Sequence, residues 1–189
     1  MLKDLVLKNR THRRFDQQSA LQRKTLEDLV DLARLSPSGG NRQPLKFMLS
    51  CDPATNARIF PTLAWAGYLK DWGGPSEGER PAAYILILVD KEIAADAGCD
   101  HGIAAQSIML GATELGLRGC MIGSIRRDDL RKALNIPARY DILLALALGK
   151  PAETVVLESV KPDGDIKYWR DDDGVHHVPK RALKDIIVG

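Results

Sequence analysis

The chain has 189 residues, of which 44% are hydrophobic and 28% are charged, and its formal net charge at pH 7 is +2. This length favours a single domain, 1–189, and the near-neutral charge argues against a nucleic-acid or membrane-surface binder. No stretch approaches the ~18 consecutive apolar residues of a membrane span. Charged residues interrupt the apolar ones at the N-terminus, and the three cysteines are widely spaced. These features predict a cytoplasmic protein with reduced thiols and no signal peptide.

Apolar spacing predicts a short first helix that ends near Asn9 and a second helix, through 26–33, that ends before Pro37. A strand at 46–50 and a helix at 55–63 follow. The later predicted elements are a buried strand 83–89, a helix 100–115, a strand 119–125, a helix 128–134 and a buried strand 142–148. Helices and strands are intermixed without regular βαβα repetition, which favours an α+β sandwich over a doubly wound sheet.

The segment 64–81 is rich in glycine and proline and contains Trp65, Tyr68 and Trp72, in a chain with only 5% aromatic residues. A loop of this length is uncommon unless it has a function. We therefore expect the three aromatic side chains to line a substrate channel. The alternative is that they pack a dimer.

The predicted helix 100–115 is rich in small residues, with Asp100 expected to cap its start and Gly116 to end it. Small side chains let another backbone approach closely. This composition predicts either dense core packing or a place at a dimer interface.

The C-terminal region, 151–189, is polar. Its segments 166–170 and 175–178 flank Asp-Asp-Asp-Gly, which is a good hairpin-turn sequence. Because an isolated two-stranded hairpin is only marginally stable, we expect this region to pack on the body of the protein or on a partner subunit.

Two short polar segments lie on either side of the second predicted helix. The first, Arg10–Phe15, concentrates cations and hydrogen-bond donors, and the second, Ser36–Pro44, is small, polar and unable to continue a helix. Together they offer the fixed positive charge and directional donors that a flavin nucleotide requires. Taken alone, the basic segment is more typical of a solvated helix end.

The spacing Arg-x-x-x-Arg-Phe, followed by Ala-Arg-Leu-Ser-Pro-Ser-x-x-Asn-x-Gln-Pro, resembles the nitroreductase family of FMN-dependent oxidoreductases. Further matches come in the same order at Gly119–Gly123, at Leu148–Pro151 and at the basic segment Pro179–Leu183. The resemblance implies a mixed or antiparallel sheet flanked by helices, in an intertwined homodimer with two FMN sites at its interface.

The same resemblance implies a set of FMN contacts. They are Arg10, Thr11, His12 and Arg14 near the N-terminus, Pro37, Ser38, Gly39 and Asn41 from across the dimer interface, Met121, Ile122 and Gly123 against the flavin ring, and Lys180 and Arg181 at the phosphate. Many relatives have serine where His12 stands, and Arg170 is an alternative phosphate ligand. No catalytic acid or base is predicted, because the cofactor performs the chemistry.

No metal site is predicted, since adjacent residues of a strand such as His176 and His177 point to opposite faces. No Gly-x-Gly-x-x-Gly sequence follows a strand, so NAD(P)H is expected to bind transiently over the flavin.

The first functional hypothesis is an FMN-dependent oxidoreductase with a ping-pong cycle, in which NAD(P)H reduces the flavin and a small electron-poor molecule, such as a nitroaromatic or a quinone, is then reduced. The alternative is an FMN-binding sensor or carrier without significant turnover. An interaction module that uses the basic N-terminus is disfavoured by the near-neutral total charge.

Overall fold

The computed structural model describes residues 1–189 and contains five α-helices and eight β-strands. The helices are α1 (Leu2–Lys8), α2 (Arg23–Leu35), α3 (Pro53–Ile59), α4 (Asp100–Glu114) and α5 (Arg127–Leu134). The strands are β1 (Phe15–Asp16), β2 (Leu45–Ser50), β3 (Ala83–Asp90), β4 (Arg118–Ile122), β5 (Tyr140–Pro151), β6 (Val155–Ser159), β7 (Trp169–Arg170) and β8 (His176–Lys180). The predicted α+β class is confirmed. None of the helices combines the length and apolar character needed to cross a membrane.

The main sheet has β5 and β3 at its centre. β3 pairs with β2 on one side and with β5 on the other, while β4 and β1 share the far side of β5 along its length. Every pairing is antiparallel, with Ile85 opposite Leu146 in the central pair. The long strand β5 is therefore the common partner that brings the N-terminal segment and β4 side by side.

β3 is buried along its whole length, as its continuous apolar sequence predicts. Its alternate side chains enter two separate cores, because successive residues of a strand point to opposite faces. Ile85 and Ile87 pack with α2 and α4, whereas Leu86 and Leu88 pack with α3 and α5. The sheet is thus covered by helices on both faces.

Most predicted elements are present, with shifted ends. The helix expected at 55–63 begins at Pro53, where the Asp52 side chain caps it, and its last turn is a 3₁₀ turn, Phe60–Thr62. The strand expected at 119–125 ends at Ile122, and Ile125 makes only an isolated bridge with Leu63.

The prediction that Asp100 caps α4 is wrong. The N-cap residue is Cys99, and Asp100 lies inside the first turn with its carboxylate turned to another segment. Core packing accounts for the small residue Gly111, since a Cβ there would lie 2.3 Å from Leu32 Cδ1. Gly116 ends the helix as predicted, with φ of +76°.

The C-terminal region forms a second, three-stranded sheet in the order β6-β8-β7. The predicted hairpin is present as the short antiparallel pair of β7 and β8, but β6, which pairs with β8 in parallel, was not predicted. This sheet lies on the body of the protein, where Ala152 N donates to Arg14 O at 3.0 Å.

Candidate functional site

The basic segment 10–14 is extended, because α1 ends at Lys8. It runs beside β4, where Thr11 makes a parallel bridge with Gly119 and His12 N donates to Gly119 O at 3.0 Å. Arg10 and Arg14 are four residues apart and would share a face only if α1 continued through them, which it does not. Alternation along extended backbone instead sends the side chains of Thr11 and Arg13 one way and those of His12 and Arg14 the other.

A cavity of about 340 Å³ lies beside this segment, and we call it the basic cavity. Its lining includes Arg10, Thr11, Arg13, Met121, Tyr168 and Lys180. Its volume is within the range of small-molecule sites. His12 is buried outside it, with Nδ1 against Arg10 O at 2.9 Å, and Arg14 pairs with Glu79.

Arg13 is held at the wall of the basic cavity, with only 9% of the residue exposed. Its guanidinium donates from Nη1 to His176 Nε2 at 3.0 Å and lies 4.6 Å from the centre of the Tyr168 ring. Its backbone N–H donates to the Glu153 carboxylate. These contacts leave further guanidinium N–H groups for a ligand, since arginine carries five.

His176 is fully buried beneath the cavity. Burial and the nearby Arg13 charge lower the pKa of His176 to about 4, so the ring is neutral at physiological pH. Because Nε2 accepts from Arg13, the ring proton is on Nδ1, which has no hydrogen-bond partner. The neutral His176 ring therefore places no second positive charge beside the Arg13 guanidinium.

The Glu153 carboxylate ties the basic segment to the C-terminal region. Its side chain is 1% exposed and accepts from the backbone N–H groups of Arg13 and Arg14 and from Arg170 Nη2 at 2.8 Å. Arg170 also lies over the Trp72 ring, 4.4 Å from its centre. Arg170 therefore faces Glu153 and Trp72 and does not line the basic cavity, whereas Lys180 does and Arg181 lies exposed beyond it.

A second cavity of about 220 Å³ adjoins the first, and we call it the aromatic cavity. It is lined by Trp65, Ile122 and Gly123, among others. Of the other two aromatic residues of the loop, Tyr68 packs on Tyr168 at its edge, and Trp72 stacks with Arg170 away from it.

The loop 36–43 is organised by Asp100. The Asp100 carboxylate accepts from Ser38 Oγ at 2.6 Å and from Gly39 N at 2.9 Å, and these bonds lower the pKa of Asp100. Asn41 and Gln43 have φ of +54° and +51°, a conformation that side chains rarely adopt and that is concentrated at functional sites.

This loop lies apart from the basic cavity within one chain. Pro37 and Ser38 line a third cavity of about 220 Å³ that also includes Asp100 and shares no lining residue with the basic cavity. Gly39 and Asn41 are exposed. The two polar segments of the sequence therefore form two separate surfaces of a single chain.

Sequence reasoning missed several residues of the basic cavity, among them Arg13, Tyr168 and His176. The chain is extended after α1 ends at Lys8, so alternate side chains point the same way. This alternation would have placed Arg13 on the same side as Thr11. Strand alternation did separate the two histidines, because His176 is buried while His177 stacks on Trp169 at the surface. Tyr168 follows an irregular stretch, and no local pattern indicated its position.

The donor set of the basic cavity fits a phosphorylated ligand. Arg10, Arg13 and Lys180 supply three cations, Thr11 supplies a hydroxyl group, and the buried Arg10 Nε has no partner within the protein. Fixed cations and hydroxyl groups are the groups that bind phosphate. Fold and site together define an α+β protein with a basic small-molecule cavity beside β4.

The chain belongs to the nitroreductase family, whose family model matches residues 6–150. It is 22% identical to YodC of Bacillus subtilis (strain 168), a protein named as an NAD(P)H nitroreductase, over 87% of this chain and 96% of the relative. The predicted family and its enzyme class, oxidoreductase, are confirmed.

Solved structures show the same fold. A nitroreductase family protein from Streptococcus pneumoniae TIGR4 has a TM-score of 0.72 at 15% identity, covering 100% of both chains. One from Clostridium novyi NT has a TM-score of 0.67 at 20% identity, covering 100% of this chain and 99% of that one. An NADPH:FMN oxidoreductase from Vibrio harveyi has a TM-score of 0.63 at 18% identity, covering 80% of this chain and 69% of that one.

Proposed function

We propose that this chain is an FMN-dependent oxidoreductase that takes a hydride from NAD(P)H and passes two electrons to a small electron-poor molecule, such as a nitroaromatic or a quinone. The observation that carries this proposal is the basic cavity, in which three cations and a hydroxyl group converge beside the end of β4. Family membership and the likeness to an NADPH:FMN oxidoreductase support the same function.

Bound FMN would supply hydride acceptance and two-electron transfer, which protein side chains do not provide. Arg10 and Lys180 would hold the phosphate as charge-assisted donors, with the Thr11 hydroxyl beside them. Arg13, fixed by His176 and Glu153, would direct its remaining N–H groups at a polar ring edge where negative charge develops. Met121, Ile122 and Gly123 would lie against the ring.

The donor and the acceptor would use the aromatic cavity in turn, as a ping-pong cycle requires. Trp65 would form one wall of this space, and Ile122 and Gly123 another. No side chain of this region has to act as an acid or base toward the donor, because positioning is what hydride transfer needs most.

We further propose that a homodimer completes each site with Pro37, Ser38, Gly39 and Asn41 of the second copy. This accounts for the separation of loop 36–43 from the basic cavity in one chain. It also gives partners to the large apolar side chains that are exposed at both chain ends, among them Leu2, Leu7, Leu183, Ile186 and Ile187.

The test is an absorbance spectrum of the purified protein after reconstitution with FMN, recorded before and after anaerobic addition of NADPH and then NADH. We expect bound oxidised flavin that bleaches with at least one donor, and a molar mass in solution of two chains. Bound flavin that stays oxidised with both donors would support a sensor or carrier instead. A protein that binds no FMN would contradict the proposed function.

A further inference from the structure

Tyr168 occupies a position that no other residue of the C-terminal region shares. Only Arg13, Met121 and Tyr168 line both the basic cavity and the aromatic cavity. Tyr168 therefore lies at the junction of the two spaces. It also lies outside residues 6–150, the part of the chain that the family model matches.

Contacts from three parts of the molecule fix the Tyr168 ring. Its ring centre is 4.9 Å from that of Tyr68 in the aromatic loop and 5.1 Å from that of His176 in β8. The Arg13 guanidinium lies over the ring at 4.6 Å, and Tyr68 N–H donates to the hydroxyl oxygen at 3.4 Å. A ring held on several sides forms a rigid wall and resists displacement by an incoming ligand.

We propose that Tyr168 is a specificity-determining residue that limits the size of the aromatic electron acceptor admitted to the aromatic cavity. The proposal rests on the proposed oxidoreductase function. Tyr168 lines both cavities, so its ring forms a side wall of the space in which an acceptor would meet a flavin ring placed against Ile122 and Gly123. The substrate class is thereby narrowed to compact, single-ring acceptors.

The Tyr68 ring strengthens this assignment because it packs against the outer side of Tyr168. Tyr68 is 48% exposed and belongs to the long loop, so it supports the Tyr168 ring from the solvent side. A multi-ring acceptor would have to displace both rings, whereas a single-ring acceptor displaces neither.

The experiment compares benzoquinone with anthraquinone sulfonate in the FMN-reconstituted protein and in three variants, Tyr168→Ala, Tyr168→Phe and Tyr168→Trp. We expect Tyr168→Ala to raise the ratio of kcat/KM for the larger quinone over the smaller one by about tenfold or more, as pocket truncations do. Tyr168→Phe keeps the ring and should keep the ratio. Tyr168→Trp should lower the ratio, and it tests the same wall without leaving a gap in the packing.

Equilibrium binding gives a readout that is independent of turnover. The dissociation constant of anthraquinone sulfonate, measured by calorimetry on the FMN-loaded protein without NAD(P)H, should fall in Tyr168→Ala and rise in Tyr168→Trp. Equal ratios and equal dissociation constants in all four proteins would overturn the role of Tyr168 and leave the proposed function intact. An unsubstituted protein that binds FMN but is not reduced would overturn both.

Discussion

The basic segment 10–14 and the loop 36–43 are both organised by a carboxylate that is distant in sequence, but in different ways. Glu153 holds the first segment through backbone N–H groups and is itself paired with the Arg170 charge, at 1% side-chain exposure. Asp100 holds the second through Ser38 Oγ and Gly39 N, with no cation in direct contact. The first segment is therefore held in place by a buried carboxylate within one chain. The second is an exposed loop of defined conformation, and another molecule can contact it.

The largest effect is expected from Glu153→Ala. This substitution leaves Arg170 as a buried charge without its partner and removes the acceptor of two backbone N–H groups. We expect the free energy of unfolding to fall by about 3–5 kcal/mol, the cost of breaking a buried ion pair. Urea unfolding followed by circular dichroism measures it.

Glu158→Ala is the matched control for Glu153→Ala. Glu158 is 42% exposed and pairs with His177 at the surface. Its removal should change the free energy of unfolding by less than about 1 kcal/mol. Similar losses of unfolding free energy in both variants would show that the burial of Glu153 does not determine its contribution to stability.

Arg13→Ala should have the next largest effect, on the affinity for FMN. Of the two adjacent arginines, Arg13 lines the basic cavity and Arg14 is turned to Glu79. We expect the dissociation constant of FMN to rise about fiftyfold in Arg13→Ala, because a hydrogen bond to a charged group contributes about 1.5–3 kcal/mol. Flavin fluorescence titration measures this constant.

The control for Arg13→Ala is Arg14→Ala, which removes an equal charge one residue away. Its FMN dissociation constant should change less than about threefold, since the Arg14 guanidinium is paired with Glu79 and does not line the basic cavity. An equal loss in the two variants would mean that total charge, and not the side of the extended segment, determines flavin affinity.

Asp100→Ala addresses the loop 36–43 directly. Without the carboxylate, Ser38 Oγ and Gly39 N lose their common acceptor, and the left-handed Asn41 and Gln43 are no longer constrained. We expect a loss of about 2 kcal/mol in the free energy of unfolding and faster amide exchange confined to this loop.

Asp96→Ala is the control for Asp100→Ala. Asp96 lies in an exposed turn and accepts only from Gly98 N, at 2.9 Å. Its removal should cost less than about 0.5 kcal/mol. Unchanged exchange of the loop 36–43 in Asp100→Ala would contradict the organising role of that carboxylate.

The sequence predicted the sheet and its helices well because their signals are local. The apolar run of β3 and the helical spacing of α2 are properties of neighbouring residues, and both elements are present. The parallel pairing of β6 with β8 was missed because it depends on residues about twenty positions apart. No turn sequence or apolar run indicates such a pairing.

The candidate site was predicted in outline and not in detail. Of the residues predicted to bind FMN, Arg10, Thr11 and Lys180 line one cavity. The family pattern favoured Arg14 over Arg13, because it does not indicate which side chains of this extended segment face the cavity. Asp100 was interpreted as a helix cap, since its contact with Ser38 and Gly39 exists only in the folded chain. The FMN contacts themselves stay predictions.

The smallest effect is expected from pH on the free energy of unfolding. His176 and His177 contribute to this pH dependence in opposite directions. The pKa of His176 is lowered to about 4 by burial and by Arg13, whereas hydrogen bonds to Asp171 and Glu158 raise the pKa of His177. A lowered pKa means that the unfolded chain binds the proton more readily than the folded one. The stability from His176 is therefore present above its unfolded pKa and is lost as pH falls from about 6.5 towards about 4. The stability contributed by His177 has the opposite pH dependence and is lost as pH rises.

His176→Gln isolates this effect, because a glutamine oxygen can accept from Arg13 and does not titrate. From about pH 7 to about pH 5.5, the unsubstituted protein should lose about 1 kcal/mol more of its free energy of unfolding than the variant does. His12 and His177 are present in both proteins, so their contributions cancel in the difference. Parallel pH profiles for the two proteins would mean that His176 is protonated as easily in the folded chain as in the unfolded one, and Arg13 would then lose its neutral acceptor below pH 6.5.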